Sequence, residues 1–272
     1  MLVRLATFPG WGIPLVAQNV SSTVFARKDG IVDDAEADET LRTFLKTLAL
    51  IHRTMAVIAV FSPHNDDFAL GLGGTMAKHY KAGDDVHVFI ASYGELSHPH
   101  YKPEIIRKTR VKEAQKADRV LGGDGRVQFL GLRELKFPQD FERKQYTSKL
   151  ATMLRKLKPS KAYIPAPNEL HPDHKAFGAL ILDVIEEAGL KCDVYAYYVY
   201  PNLHRLRGAR LIVDVSGAYG TKLESIRAFR SQIHFFTYAV TNNFIFLYTL
   251  CRNWLVGFLR GVRFAETFRK VR

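Results

Sequence analysis

Ala56-Val57-Ile58-Ala59-Val60-Phe61-Ser62-Pro63-His64-Asn65-Asp66-Asp67 is the stretch from which the fold is read. Its first half is a short apolar run containing β-branched residues, which predicts a buried strand over Ala56–Phe61. A loop carrying His64 follows, then a helix from about Ala69 to Lys81, ended by Ala82-Gly83. The same order recurs downstream. Strands are predicted over Asp85–Ser92, Arg126–Leu130, Lys161–Pro165, Val194–Tyr200 and Arg210–Val215. Helices are predicted over Pro103–Leu121, Gln139–Leu157, Asp173–Glu187 and Gly217–His234. Alternation at this spacing implies right-handed crossovers and an α/β fold, a mostly parallel sheet with helices on both faces. An active site is then expected at the C-terminal ends of the strands.

Two clusters of metal-ligand residue types sit at such positions. His64 and Asp67 lie three apart in the loop after the first strand. His171-Pro172-Asp173-His174, more than a hundred positions later, repeats that spacing after Lys161–Pro165. A single such pair is more often a capping Asp or a hydrogen-bonded surface His. Two of them, after strands of one predicted sheet, point to a shared site. Together they offer two imidazoles and a carboxylate as ligands, with another carboxylate and another imidazole alongside. That is the inventory of a hydrolytic zinc centre, with three protein ligands, an open position and groups to move protons. Asp66 diverges from its neighbour Asp67, so it is read as a base for the attacking water rather than as a ligand.

These motifs resemble the LmbE-like family of zinc-dependent N-deacetylases, which includes GlcNAc-phosphatidylinositol de-N-acetylase and archaeal diacetylchitobiose deacetylases. The family's His-Pro-Asp-Asp reads His64-Asn65-Asp66-Asp67 here, and its His-Pro-Asp-His is intact at 171–174. The likeness continues through Ser92-Tyr93-Gly94-Glu95, Arg110-Val111-Lys112-Glu113, Lys222 with Phe229-Arg230-Ser231-Gln232, and Phe264-Ala265-Glu266-Thr267-Phe268. Residues 1–54 lie outside the likeness: 1–33, with prolines, scattered glycines and no sustained period, are expected to be an extended arm, and Asp33–Arg53, with acidic first turns and Leu41, Phe44, Leu45 and Leu48 on one face, a helix. The resemblance implies a Rossmann-like deacetylase domain over 55–272. It implies His64, Asp67 and His174 as metal ligands, Asp66 as general base, His171 as oxyanion stabiliser and candidate proton donor to the amine, and Asp173 as the residue that orients or tunes His171. Arg110 matches a position near substrate. The implied reaction is removal of the N-acetyl group from an N-acetylglucosamine-containing conjugate, giving a free amine and acetate. The implied cofactor is Zn2+, with other divalent transition metals able to fill a His/His/Asp site. A homo-oligomer is also implied. Two departures stand out: Asn65 replaces the usual Pro, and Phe68 stands where many members have Glu.

Composition bounds the alternatives. The 272 residues are 47% hydrophobic and 24% charged, globular values that exclude wholesale disorder. The formal net charge is +12, which attracts anions. No helix-turn-helix or RNP-like pattern accompanies it, so no nucleic-acid partner is expected. Cys192 and Cys251 are far apart and form no CxxC, so a reducing, cytoplasmic compartment is expected. Pro9, Gly10, Gly12 and Pro14 interrupt the apolar start, which argues against a signal peptide. Gly71-Leu72-Gly73-Gly74 is read as close helix–sheet packing, not a phosphate loop. Residues 235–259 are read as core or oligomer interface, and 252–272 as a basic tail. Peripheral contact of both with an anionic lipid surface is the less favoured reading. Two rivals remain: hydrolysis of a non-sugar acyl amide, and a basic polyanion- or membrane-binding protein with a vestigial metal site.

Overall fold

The computed structural model describes residues 55–95, 102–201, 210–233 and 236–272, with the isolated position 39. The chain divides into two units, Met1–Thr54 and Met55–Arg272, and the fold described here is the second. The predicted N-terminal arm and, apart from the helical Glu39, the predicted Asp33–Arg53 helix lie outside the described residues, as do His52, His98, His100, His204 and His234.

The first βα unit is β1 (Val57–Ser62) and α1 (Asp67–Lys81), followed by β2 (Asp85–Ile90) and α2 (Pro103–Leu121). Next come β3 (Gln128–Phe129), α3 (Phe137–Lys144), α4 (Tyr146–Leu157), β4 (Lys161–Pro165), α5 (Pro172–Glu187) and β5 (Asp193–Tyr197). The last part holds β6 (Arg210–Asp214), α6 (Tyr219–Arg227), α7 (Arg230–Ile233), α8 (Phe236–Phe258) and β7 (Ala265–Lys270). The seven-stranded sheet has the order β3-β2-β1-β4-β5-β7-β6. β1 to β5 pair in parallel, and β7 runs antiparallel between β5 and β6.

Central strands are covered on both faces, so their side chains are buried in runs rather than in alternation. In β1, Ile58, Ala59, Val60 and Phe61 are all fully buried. Ile58 and Val60 join the core under α1, while Ala59 and Phe61 face the core under α5. The glycine run in α1 brings the helix close to neighbouring elements. A Cβ on Gly74 would lie 2.7 Å from Val215 Cβ, so packing and not phosphate binding explains it.

Several expected boundaries are corrected. The helix expected over Gln139–Leu157 is two helices, broken where Gln145 turns left-handed at φ 54°. The helix expected over Gly217–His234 divides into a 3-10 turn at Ser216–Ala218, α6 and α7. β3 is shorter than expected. The largest correction concerns 252–272, read as a basic tail. It completes α8 and then forms β7, in which Ala265, Glu266 and Phe268 are buried. α8 buries Ile245, Thr249 and Asn253, and exposes Phe244, Leu247, Trp254, Leu255 and Phe258. Among the described residues no helix is long and apolar enough to cross a membrane.

The C-terminal strand is tied in by a buried ion pair. Lys222 Nζ donates to Glu266 Oε1 (2.6 Å), Asn253 Oδ1 (3.1 Å) and the Leu70 carbonyl (2.9 Å). Glu266 also accepts from Gly74 N–H (3.0 Å), Thr75 N–H (2.8 Å) and Thr75 Oγ (2.6 Å). α1, α6, α8 and β7 therefore meet at one fully satisfied pair. Removing one member leaves the other charge buried without its partner. Glu266→Leu is expected to cost about 3–5 kcal/mol, read as a lower urea midpoint; an unchanged midpoint would refute this role.

Candidate metal centre and active site

β1 and β4 are parallel neighbours, so the loops leaving their C-terminal ends open side by side. In the first loop the Ser62 hydroxyl donates to the His64 carbonyl (2.6 Å) and accepts from Phe68 N–H (3.1 Å). Asp67 starts α1, and its Oδ2 accepts from His64 N–H at 2.8 Å. In the second loop Pro172 opens α5 with its φ already set for a helix. His171 caps that helix, its Nδ1 accepting from Asp173 N–H at 3.2 Å. The first turn then carries His174 into the interior, where it is fully buried.

Asp67 Oδ2 lies 3.1 Å from His64 Nδ1 and 3.1 Å from His174 Nε2, and those nitrogens are 3.3 Å apart. A tetrahedral cation with bonds of about 2.0–2.2 Å holds its ligand atoms roughly 3.3 Å apart, so this donor set fits one. Each imidazole turns its other nitrogen toward a carboxylate. His64 Nε2 is 3.3 Å from Asp173 Oδ2, and His174 Nδ1 is 2.5 Å from Glu169 Oε2. Such partners fix the tautomer and aim the remaining lone pair at a metal. Both carboxylates are themselves anchored. Glu169 Oε1 accepts from Val199 and Tyr200 N–H at 2.5 and 2.7 Å, and Asp173 Oδ1 from Leu135 N–H at 2.8 Å. His64, His171 and Asp173 also fall within 4.8 Å of one another; sharing His64, they are a second face of the same centre.

The charges follow from this packing. Burial alone would lower His64, but hydrogen bonds to Asp173 and Asp67 overcome it and raise the imidazole to about 9. Burial likewise opposes protonation of His174, but Asp67 and Glu169 raise it to about 10. Asp67 is disfavoured as an anion by burial, yet His174 and His64 hold it well below the usual carboxylate range. His171 is lowered to about 4 by burial, then by the charges of His64 and His174. Burial and the Asp67 charge raise Asp66, which Arg110 and His64 partly offset.

The predicted residues are placed as follows. His64, Asp67 and His174 converge, with Asp66 at the start of α1 beside them. The Asp173 carboxylate bonds His64, while its backbone N–H bonds His171. Tyr200 stacks on the His171 ring at 5.5 Å. Arg110 is buried, donates to the Gly94 carbonyl at 3.1 Å, and holds Nη2 3.8 Å from Asp66 Oδ1. Asn65 is fully buried, and its amide nitrogen and oxygen have no hydrogen-bond partner. Phe68 is core, edge-on to Phe229 at 6.1 Å. Glu169, Glu134 (3.9 Å from His64 Nε2) and Tyr200 were not singled out by motif reading. For Glu169 the signal was an acidic side chain in the same loop, two residues before His171.

The chain is similar to known proteins in sequence and in fold. Residues 59–185 match the family described as PIG-L: GlcNAc-PI de-N-acetylase. A diacetylchitobiose deacetylase of Thermococcus kodakarensis is 26% identical over 197 residues, 64% of this chain and 69% of that protein. Among solved structures, N,N'-diacetylchitobiose deacetylase of Pyrococcus horikoshii has a TM-score of 0.64 at 23% identity, covering 89% of this chain and 94% of that one. The 4-carboxy-2-hydroxymuconate hydratase of Pseudomonas putida KT2440 has a TM-score of 0.65 at 21% identity, covering 80% and 97%. Since that fold also hosts a hydratase, the structural likeness carries architecture, and the site must carry the chemistry.

Two outcomes are expected. In the cation-free protein the raised imidazoles add stability that is complete below their ordinary 6.5 and is lost as pH rises through about 9 to 10. Zinc must displace those protons, so uptake at pH 7 releases protons to buffer. Calorimetry in buffers of different protonation enthalpy reads this; identical heats in every buffer would contradict it. Glu169→Gln should weaken zinc binding about 10–100-fold, measured by competition with a chelating dye.

Proposed function

We propose, on the premise that residues 59–185 form a domain of the PIG-L family, that this protein is a zinc-dependent N-deacetylase. Its reaction is hydrolysis of the acetamide of an N-acetylglucosamine-containing conjugate to a free amine and acetate. One observation carries this reading: His64, Asp67 and His174 present their donor atoms within 4.8 Å of one another, with Asp66 and His171 beside them. The relative in Thermococcus kodakarensis supports the choice of an acetylated amino sugar.

His64, Asp67 and His174 would hold the cation. When bound, it supplies Lewis acidity to the acetamide carbonyl and lowers the pKa of water toward ~7. Asp66 takes a proton from the attacking water. Its raised affinity for that proton suits the task, and the same carboxyl can then return it to the departing nitrogen. His171 is neutral at pH 7, and because its Nδ1 accepts from Asp173 N–H, its proton sits on Nε2. That N–H donates to the carbonyl oxygen as negative charge builds there. Asp173 positions His171 through its backbone and His64 through its carboxylate. Arg110 holds the Asp66 side of the site and meets the substrate there.

Acetate release from N-acetylglucosamine conjugates and simple acyl amides, with and without chelator, separates this reading from its rivals. Asp66→Ala should retain zinc and lose about 10²–10⁴-fold in kcat. Normal turnover in that variant would remove Asp66 from the mechanism. The acid limb of kcat/KM should lie above the ordinary carboxylate range, because Asp66 must be ionised to act. In Arg110→Gln that limb should move to still higher pH, since Arg110 favours the ionised form.

A further inference from the structure

Outside α8 and the turn after it, the described residues expose four large apolar side chains: Met55, Ile105, Leu135 and Leu170. Met55 precedes β1, at the opposite end of the sheet from the metal centre. The other three follow β2, β3 and β4, at the end where the two histidine loops open. In the order β3-β2-β1-β4 those strands stand on either side of β1, which leads into His64. Leu170 is 67% exposed and directly precedes His171. Leu135 is 59% exposed, and its backbone N–H holds Asp173 Oδ1 at 2.8 Å. Apolar surface therefore surrounds the entrance to a site whose donor residues His64, Asp67 and His174 are buried.

An exposed leucine is by itself ordinary. Leu135 carries a backbone cost as well. Lys136 N–H donates to the Arg133 carbonyl at 3.0 Å, closing a turn in which Leu135 is the third residue, at φ 62°. Such a position favours Gly or Asn, because a Cβ is strained there. The other described non-glycine residues with positive φ, Gln145 and Lys158, are polar. Leu135 thus meets two penalties, strain and exposed apolar surface, that a glycine would avoid. Strain kept beside a reaction centre is accounted for when the side chain gains a contact as ligand arrives. We infer that Leu135 and Leu170, with Ile105, form an apolar rim to the reaction centre and receive an alkyl aglycone on the amino sugar. With the acetamide at the buried donor atoms, the aglycone is the part of the conjugate left to meet the rim. Covering aliphatic side chains removes apolar surface from water, which favours an alkyl chain over a hydroxylated group. This names a substrate class for the deacetylase reading and rests on it.

The test uses the full, zinc-loaded chain with the octyl and methyl β-glycosides of N-acetylglucosamine, the octyl compound kept below its micelle concentration. Acetate release should favour the octyl glycoside by about tenfold or more in kcat/KM, as burial of a few methylenes allows. In Leu135→Asn and in Leu170→Gln the octyl-to-methyl ratio, rather than either rate, should fall by about threefold to tenfold. The urea midpoint of Leu135→Asn should hold or rise, because asparagine tolerates the left-handed turn, so the lost preference is not a loss of fold. Equal kcat/KM for the two glycosides in wild type, or an octyl-to-methyl ratio unchanged in both variants, overturns the rim. A change of oligomeric state in sedimentation with that ratio unchanged assigns the leucines to an interface between copies, and overturns it too. Calorimetric binding of the two glycosides to Asp66→Ala, with and without Leu135→Asn, reads the same contrast without turnover. If neither glycoside releases acetate, the deacetylase reading has failed. The rim then stands if the octyl glycoside binds more tightly than the methyl one and Leu135→Asn narrows the gap, and falls if the two bind alike.

Discussion

One carboxylate oxygen, Asp67 Oδ2, is the point on which the candidate site converges. It accepts from the His64 backbone and stands 3.1 Å from an imidazole of each motif loop. Bringing an acceptor so far inside is costly unless every lone pair has a use. Here the compensation is collective: two imidazoles face the oxygen, and two further carboxylates hold the far sides of those imidazoles. The constraint reaches back to the sheet. Only parallel pairing of β1 with β4 leaves both loops at the same end, so the pairing Val60 to Tyr163 and the 3.3 Å between His64 and His174 are linked facts.

Several residues that share the family's motifs never approach this oxygen. Lys222 and Glu266 clamp helices to β7, and Glu113 receives both the backbone N–H and the hydroxyl of Ser231 at 2.7 Å. Their value lies in aligning elements. Buried polar networks are stable only when complete, and both of these are built from charged groups whose hydrogen bonds are all directed inward. The contrast with Asn65 is instructive. Its amide is buried with no partner, a cost of about 1–3 kcal/mol that sits directly between His64 and Asp66. A proline at that position carries no side-chain amide to satisfy.

Much of this architecture could be read before any coordinates. Val57 to Phe61 is an unbroken apolar run, and such runs are legible because both faces of a central strand are dry. The Lys161–Pro165 strand and Pro103–Leu121 helix have sharp ends for similar reasons: Pro103 at the start of the helix, Gly122 left-handed past its end. β7 was not legible, because Ala-Glu-Thr-Phe-Arg-Lys is polar by composition and its buried Glu266 makes sense only beside Lys222, far away in sequence. The break at Gln145 was also hidden, since nothing local marks a glutamine for a left-handed turn. At the site, histidines three residues from an acidic or second histidine announced themselves. Glu169 and Tyr200 did not, because their roles depend on a loop closing over the histidines from the end of β5.

The position of β7 in the sheet bears on how the chain comes to be folded. Among the described residues β6 pairs in the sheet with β7 alone, which is made more than fifty residues later. During vectorial synthesis β1 to β5 can pair as they emerge, but residues 210–214 must wait with an unfilled edge beside them until 265–270 follow. The apolar surface that buries Phe268, including the ring of Tyr163, stays open through the same interval. Chains stalled between those two points would expose both an unpaired strand edge and apolar surface, the combination that recruits chaperones and seeds aggregation.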